Sequence, residues 1–126
     1  MNQISLDGLL KIATAELPMT VTYPADDMCV VGKPKRTSTP VVDFQAGATG
    51  IGFWEAEFGA WKFAYPSDRS EVFHVLKGTF SLEGENVPRQ EFSAGDTGVI
   101  PAGFVGTLSV SEAVRKMYVL LPRATR

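Results

Sequence analysis

The sequence predicts an all-β, antiparallel domain, and three observations carry that prediction. From residue 41 onward, short runs rich in β-branched and aromatic residues recur roughly every eight to ten residues, with Gly, Asn, Asp or Pro between many of them. No apolar repeat of helical period persists over the same stretch. The chain has 126 residues, a length at which one core buries about two-thirds of the unfolded surface without help from a disulfide or a metal.

Taken in order, the elements begin with Leu6, Leu9, Leu10 and Ala13 at helical spacing, so a short helix is expected over 6–16. Asp7-Gly8 weakens it and Pro18 ends it. Between 22 and 40, Pro24, Gly32, Pro34 and Pro40 predict an extended arm, and the basic trio Lys33, Lys35 and Arg36 reads as a solvated face. The strand candidates follow: VVDF, GIGFWEAEF, AWKFAY, EVFHVL, GTFSLE, RQEF, TGVIP, FVGTLSV and AVRKMYVLLP. EGEN at 83–86 supplies a hairpin turn, and AGD at 94–96 another.

Charge and composition exclude several function classes. The formal charge is −2, with 12 basic and 14 acidic residues spread along the chain, so no electrostatic footprint for nucleic acid exists. Cys29 is the single cysteine; an intramolecular disulfide is impossible and a reducing compartment is expected. The apolar run GLLKIATA is broken by Lys11 and has no basic segment before it, which makes a poor signal peptide. No stretch approaches membrane-spanning length. A cytoplasmic location without a membrane partner is the expectation.

Two segments carry a resemblance. Glu71, six residues and then Gly78 are similar to the second half of cupin motif one; GDTGVIPAG at 95–103 is similar to the opening of motif two, with Gly95, Pro101 and Gly103 at the motif positions. The wider text resembles the small single-domain, RmlC-like cupins related to the (S)-ureidoglycine aminohydrolase cupin domain. VVGKPKRTSTPVVDF, GIGFWEAEFGAWKFAYPSDRSEVFHVLKG and AGDTGVIPAGFVGTLSVSEAVRKMYVL carry it. The resemblance implies an antiparallel double-stranded β-helix, the jelly-roll cupin barrel, usually a homodimer, with a ligand pocket between its sheets. The expected division is an N-terminal arm over 1–29, with the short helix, and a barrel over 30–126.

Cupin ligand spacing rests on strand alternation, which sends side chains two apart into the same interior. The related enzyme's four ligand places are held here by Tyr65, Ser67, Glu71 and Gly106. Glu71 is the one strong donor among them, so a divalent metal is disfavoured and no cofactor is expected. By the same analogy Tyr118 faces inward, and alternation brings Lys116 with it, leaving Arg115 and Met117 outside. Pro122 stands where the related enzyme has a lysine. Alternation from Glu71 turns Phe73 and Val75 inward and Val72, His74 and Leu76 outward, so His74 reads as a sheet-surface or dimer-contact residue.

Trp54, Phe58, Trp61, Phe63, Tyr65, Phe73 and Phe104 are dense for so short a region. They either pack the barrel solid or wall a pocket. Glu71 is either the structural partner of a base such as Lys116 or an acid/base group, and it is the catalytic candidate. The candidate ligand-binding set is Trp61, Phe63, Tyr65, Ser67, Glu71, Phe73, Phe104, Lys116 and Tyr118. No Ser-His-Asp order, phosphate loop or Rossmann glycine pattern appears. Three functions remain open: a largely metal-free barrel binding a small polar metabolite, an enzyme acting on a small amide or ureide, and a non-catalytic interaction module.

Overall fold

The computed structural model describes residues 8–9, 11–44 and 49–123. Strands run through them in chain order: β1 (Thr20–Thr22), β2 (Cys29–Val31), β3 (Arg36–Phe44), β4 (Thr49–Ala56), β5 (Gly59–Ala64), β6 (Arg69–Gly84), β7 (Val87–Ser93), β8 (Thr97–Ile100) and β9 (Val105–Pro122). Every pairing is antiparallel. The order β1-β3-β4-β9-β5-β2 is completed by β6, which pairs with β7, β8 and β9, and the curled sheet forms the expected jelly-roll barrel. Among the described residues no helix is long and apolar enough to cross a membrane.

Two pairs of predicted strands are fused. EVFHVL and GTFSLE are one strand, β6, and FVGTLSV and AVRKMYVLLP are one strand, β9. Gly78, which reads as a boundary, is a bend within the ladder. Its φ is 81°, a Cβ there would lie 2.0 Å from the Ala113 carbonyl oxygen, and the β6–β9 register shifts around it. Bending lets each strand serve both faces of the barrel: β9 pairs with β5 through 105–110 and with β4 through 114–120. Glu85 and Asn86 form the turn between β6 and β7, within the predicted EGEN. The AGD turn ahead of β8 contains Gly95 at a φ of 97°.

Part of the helix expected over 6–16 lies outside the described residues. Within them the chain makes only a 3-10 turn, Thr14–Glu16. The segment read as an extended arm is tied to the sheet at two places. β1 pairs with the start of β3, from Thr20–Ser38 to Thr22–Arg36, and β2 pairs with β5 through Cys29–Trp61 and Val31–Ala60.

The core follows from alternation along the bent strands. Phe73, Val75, Phe80 and Leu82 of β6 meet Leu108, Val110 and Val114 of β9, all buried. Phe73, Phe80 and Phe92 form a triangle with ring centroids 5.0–5.5 Å apart. Gly98, register partner of Phe73, leaves room for that ring, since a Cβ there would stand 2.5 Å from it. Truncating Phe73 or Phe80 to alanine would cost about 3–5 kcal/mol, so this cluster is a principal source of stability.

Candidate functional site

The inward side chains form rows across the sheet. One row runs Ser38, Trp54, Lys116, Val75; the next runs Gly52, Tyr118, Phe73; beyond it stand Gly50, Leu120, Glu71 and Ile100. In the second row a glycine stands opposite a tyrosine for a steric reason. A Cβ at Gly52 would lie 2.3 Å from the Tyr118 hydroxyl, so glycine on β4 makes the space that the phenol on β9 occupies. Between these rows and Trp61, Phe63 and Tyr65 of β5 and its following loop lies a cavity of about 280 Å³. Both tryptophans of the chain line it.

Polar groups converge on one carboxylate. The Tyr65 hydroxyl donates to Glu71 Oε1 at 2.9 Å. Lys116 Nζ stands 2.5 Å from Glu71 Oε2, and both side chains are over nine-tenths buried. That approach has ion-pair distance without hydrogen-bond alignment, so Oε2 is left without a directed donor. The ammonium also rests against aromatic faces, 4.7 Å from the Trp54 ring, 4.9 Å from Phe73 and 5.5 Å from Phe80. These quadrupoles offset part of its lost hydration.

Both tyrosines of the cavity, Tyr65 and Tyr118, are held protonated. Burial raises the Tyr65 pKa most, followed by the Glu71 charge and the hydrogen bond to it. Burial also raises Tyr118, with Glu71 and then Asp43 adding to the effect. Each phenol is therefore an O–H donor at the cavity, one engaged with Glu71 and one beside it.

The donor set does not fit a divalent metal. Among the described residues no three His, Cys, Asp or Glu side chains converge. Glu71, the single carboxylate of the cavity wall among the described residues, already has an ammonium against it, which would repel a second cation. Tyr65 occupies one of the places the resemblance assigned to ligands, and its elevated pKa works against a phenolate ligand.

The structure brings together Trp61, Phe63, Tyr65, Glu71, Lys116 and Tyr118 at the cavity. Phe73 lies beneath Lys116. Ser67 and Phe104 fall elsewhere. Ser67 is solvent-exposed in the loop after β5, and Phe104 packs on Phe63 and lines a separate groove with Leu82, Phe92 and Pro101. His74 lies on the outward side of β6, its Nδ1 2.9 Å from Thr97 Oγ1. Arg115 is also outside, paired with Glu55.

Sequence reasoning missed Arg36, Ser38, Ile100, Leu108 and Leu120 as lining residues, and placed Trp54 only among the aromatics. Arg36 is the chief correction. Expected on a solvated face, it is half-buried at the start of β3, with its guanidinium carbon 5.3 Å from the Trp61 ring. Alternation along β3 puts it on the same face as Ser38. The prolines around it concealed the strand.

A sequence profile of the EutQ-like cupin domain matches residues 44–118, more than half of the chain. The chain belongs to the EutQ-like cupin domain family. No curated protein matches it. Among solved structures it is similar to the EutQ protein of Clostridium difficile, with 20% identity, a TM-score of 0.61, and coverage of 71% of this chain and 69% of that one. A putative ethanolamine utilization protein Q from Salmonella typhimurium shows 19% identity, a TM-score of 0.61, and coverage of 85% and 99%. A DUF861-family protein of unknown function from Pseudomonas syringae shows 21% identity and a TM-score of 0.70. The match covers 83% of this chain and 45% of that one, so this chain spans less than half of its length. At these identities the likeness establishes the shared fold.

Proposed function

We propose that this cupin binds a small polar metabolite inside the barrel through protein side chains, without a resident divalent metal. The observation that carries the reading is the convergence of Tyr65, Glu71, Lys116 and Tyr118 on a cavity otherwise walled by Trp54, Trp61 and Phe63. Apolar walls with a few fixed polar groups are the ordinary make-up of a small-ligand site, and about 280 Å³ lies near the low end of that range. Glu71 would accept a ligand N–H or O–H, and Tyr118 would donate to a ligand carbonyl.

Small amides and ureides match this pattern, since each carries N–H donors beside a carbonyl acceptor. A second reading, hydrolysis of such a compound with Glu71 as base, is favoured by the lone pairs of Oε2 that lack a directed donor. Lys116 already stands against that oxygen, so binding stands first.

Intrinsic fluorescence tests the proposal directly, because both tryptophans face the cavity. Small amides, ureides and carboxylates are titrated into wild type and Glu71→Gln, with circular dichroism confirming the fold of each. Saturable quenching by members of the panel, lost in the variant, supports the reading. A panel that changes neither fluorescence nor melting temperature at millimolar concentration overturns it. Ammonia release on incubation with amides or ureides would establish the second reading.

A further inference from the structure

The charged groups around the cavity do not balance. Its lining contains Arg36, Glu71 and Lys116, of which Glu71 and Lys116 neutralise each other at 2.5 Å. Arg36 remains. Its Nε donates to the neutral Thr22 Oγ1 at 3.2 Å, its guanidinium lies over Trp61, and no Asp or Glu among the described residues forms an ion pair with it. Burial lowers its pKa, and the one opposing electrostatic influence is Cys29, so no carboxylate compensates its desolvation.

Register places this cation away from the Glu71 cluster. Arg36 pairs with Ala56 and Ala56 with Val114, whereas Glu71 pairs with Leu120 and Leu120 with Gly50. The rows of Ser38–Trp54–Lys116 and Gly52–Tyr118 intervene. Along the inward face the polar features are therefore a guanidinium at one end, an indole-lined middle, and a carboxylate with two phenols toward the other end.

Resting on the binding reading above, we propose that the ligand is a small organic monocarboxylate whose carboxylate is held by Arg36, with an N–H or O–H donor at its far end facing Glu71. A guanidinium fork matches a carboxylate in two parallel hydrogen bonds. One negative charge brings the lining to formal neutrality, which a neutral ligand would not do and a doubly charged phosphate would overshoot. Arg36 is thus a specificity-determining residue, selecting for the anion rather than for the ligand body.

The test uses two probes of one shape, 4-hydroxyphenylacetate and 4-hydroxyphenylacetamide, titrated by calorimetry into the full chain and into Arg36→Gln, Arg36→Lys and Glu71→Gln. A charge-assisted pair predicts at least about a ten-fold preference of wild type for the carboxylate. Arg36→Gln brings the two probes within about three-fold of each other, Arg36→Lys retains part of the preference, and Glu71→Gln weakens both probes. If the amide binds wild type as tightly as the carboxylate, or Arg36→Gln leaves the preference intact, the anion proposal is overturned while the cavity reading stands. If neither probe binds at millimolar concentration, the proposal falls; the broader fluorescence panel then decides separately whether the cavity binds other small molecules.

Discussion

Lys116 and Glu71 are not register partners, yet their charged atoms stand 2.5 Å apart. Lys116 pairs across the ladder with Val75, whereas Glu71 pairs with Leu120. The lysine side chain therefore runs diagonally over the Phe73 ring to reach the carboxylate. Its ammonium rests on the rings of the aromatic core and lines the cavity wall, so one residue links packing to the chemistry of the site.

The pair should behave as a unit in unfolding. Glu71→Gln or Lys116→Met alone leaves one charge buried without its partner, which costs about 3–5 kcal/mol. The double variant removes both charges, and the Gln carbonyl still accepts from Tyr65, so it should lose less than either single change. Urea denaturation of the four proteins gives the coupling energy. Additive losses would show that the two charges do not sense each other.

Gly52 and Tyr118 form a second coupled pair. Gly52→Ala puts a methyl 2.3 Å from the tyrosine hydroxyl and 2.4 Å from its ring, so the ring must move or the strands must part. The expected loss is about 1–3 kcal/mol, with ligand binding weakened as the phenol is displaced. Tyr118→Ala should absorb most of that penalty, making Gly52→Ala nearly neutral in its background. A loss of the same size in both backgrounds would remove the steric explanation.

Much of the site could be read from alternation once Glu71 was placed inside. Alternation from Glu71 separated Phe73 from His74 on β6, while on β9 the resemblance turned Tyr118 inward and alternation from there separated Lys116 from Arg115. Two things escaped it. Gly78 is indistinguishable in sequence from a turn glycine, because positive φ serves a turn and a bulge equally well; the β6–β9 pairing that continues past it is a long-range contact. Arg36 follows a run of Lys and Pro that resembles solvated coil. Its inward direction comes from β3 pairing with β4, a partnership no local pattern announces.

The glycines of the two cupin-like motifs should differ in their tolerance of alanine. Gly78→Ala combines a φ of 81° with a collision against backbone, the Ala113 carbonyl oxygen at 2.0 Å, and is expected to cost roughly 2–5 kcal/mol. Gly95 has a φ of 97° but open space around its missing Cβ, leaving backbone strain of about 1–2 kcal/mol. Thermal unfolding of the two variants checks the order. Equal losses would mean that the bulge can relax away from β9.

Alkaline stability should depend on Tyr65. Burial and the neighbouring Glu71 charge raise its pKa in the folded chain, whereas unfolding restores the ordinary value of about 10. Above about pH 10 the unfolded state therefore binds fewer protons than the folded state, and stability falls as pH rises. Below that pH both states hold the proton, so the group contributes no slope. Tyr118 is raised by the same kind of burial and acts in the same direction. Tyr65→Phe removes one of these groups while leaving Glu71 Oε1 without its phenolic donor, at a cost of about 1–3 kcal/mol. The variant should melt below wild type at neutral pH, with the difference narrowing between roughly pH 10 and 11.5 as wild type loses the proton-linked part of its stability. Melting curves collected across that range decide the matter. A difference that stays constant through pH 11.5 would mean that the Tyr65 hydroxyl ionises as readily in the folded chain as in the unfolded one.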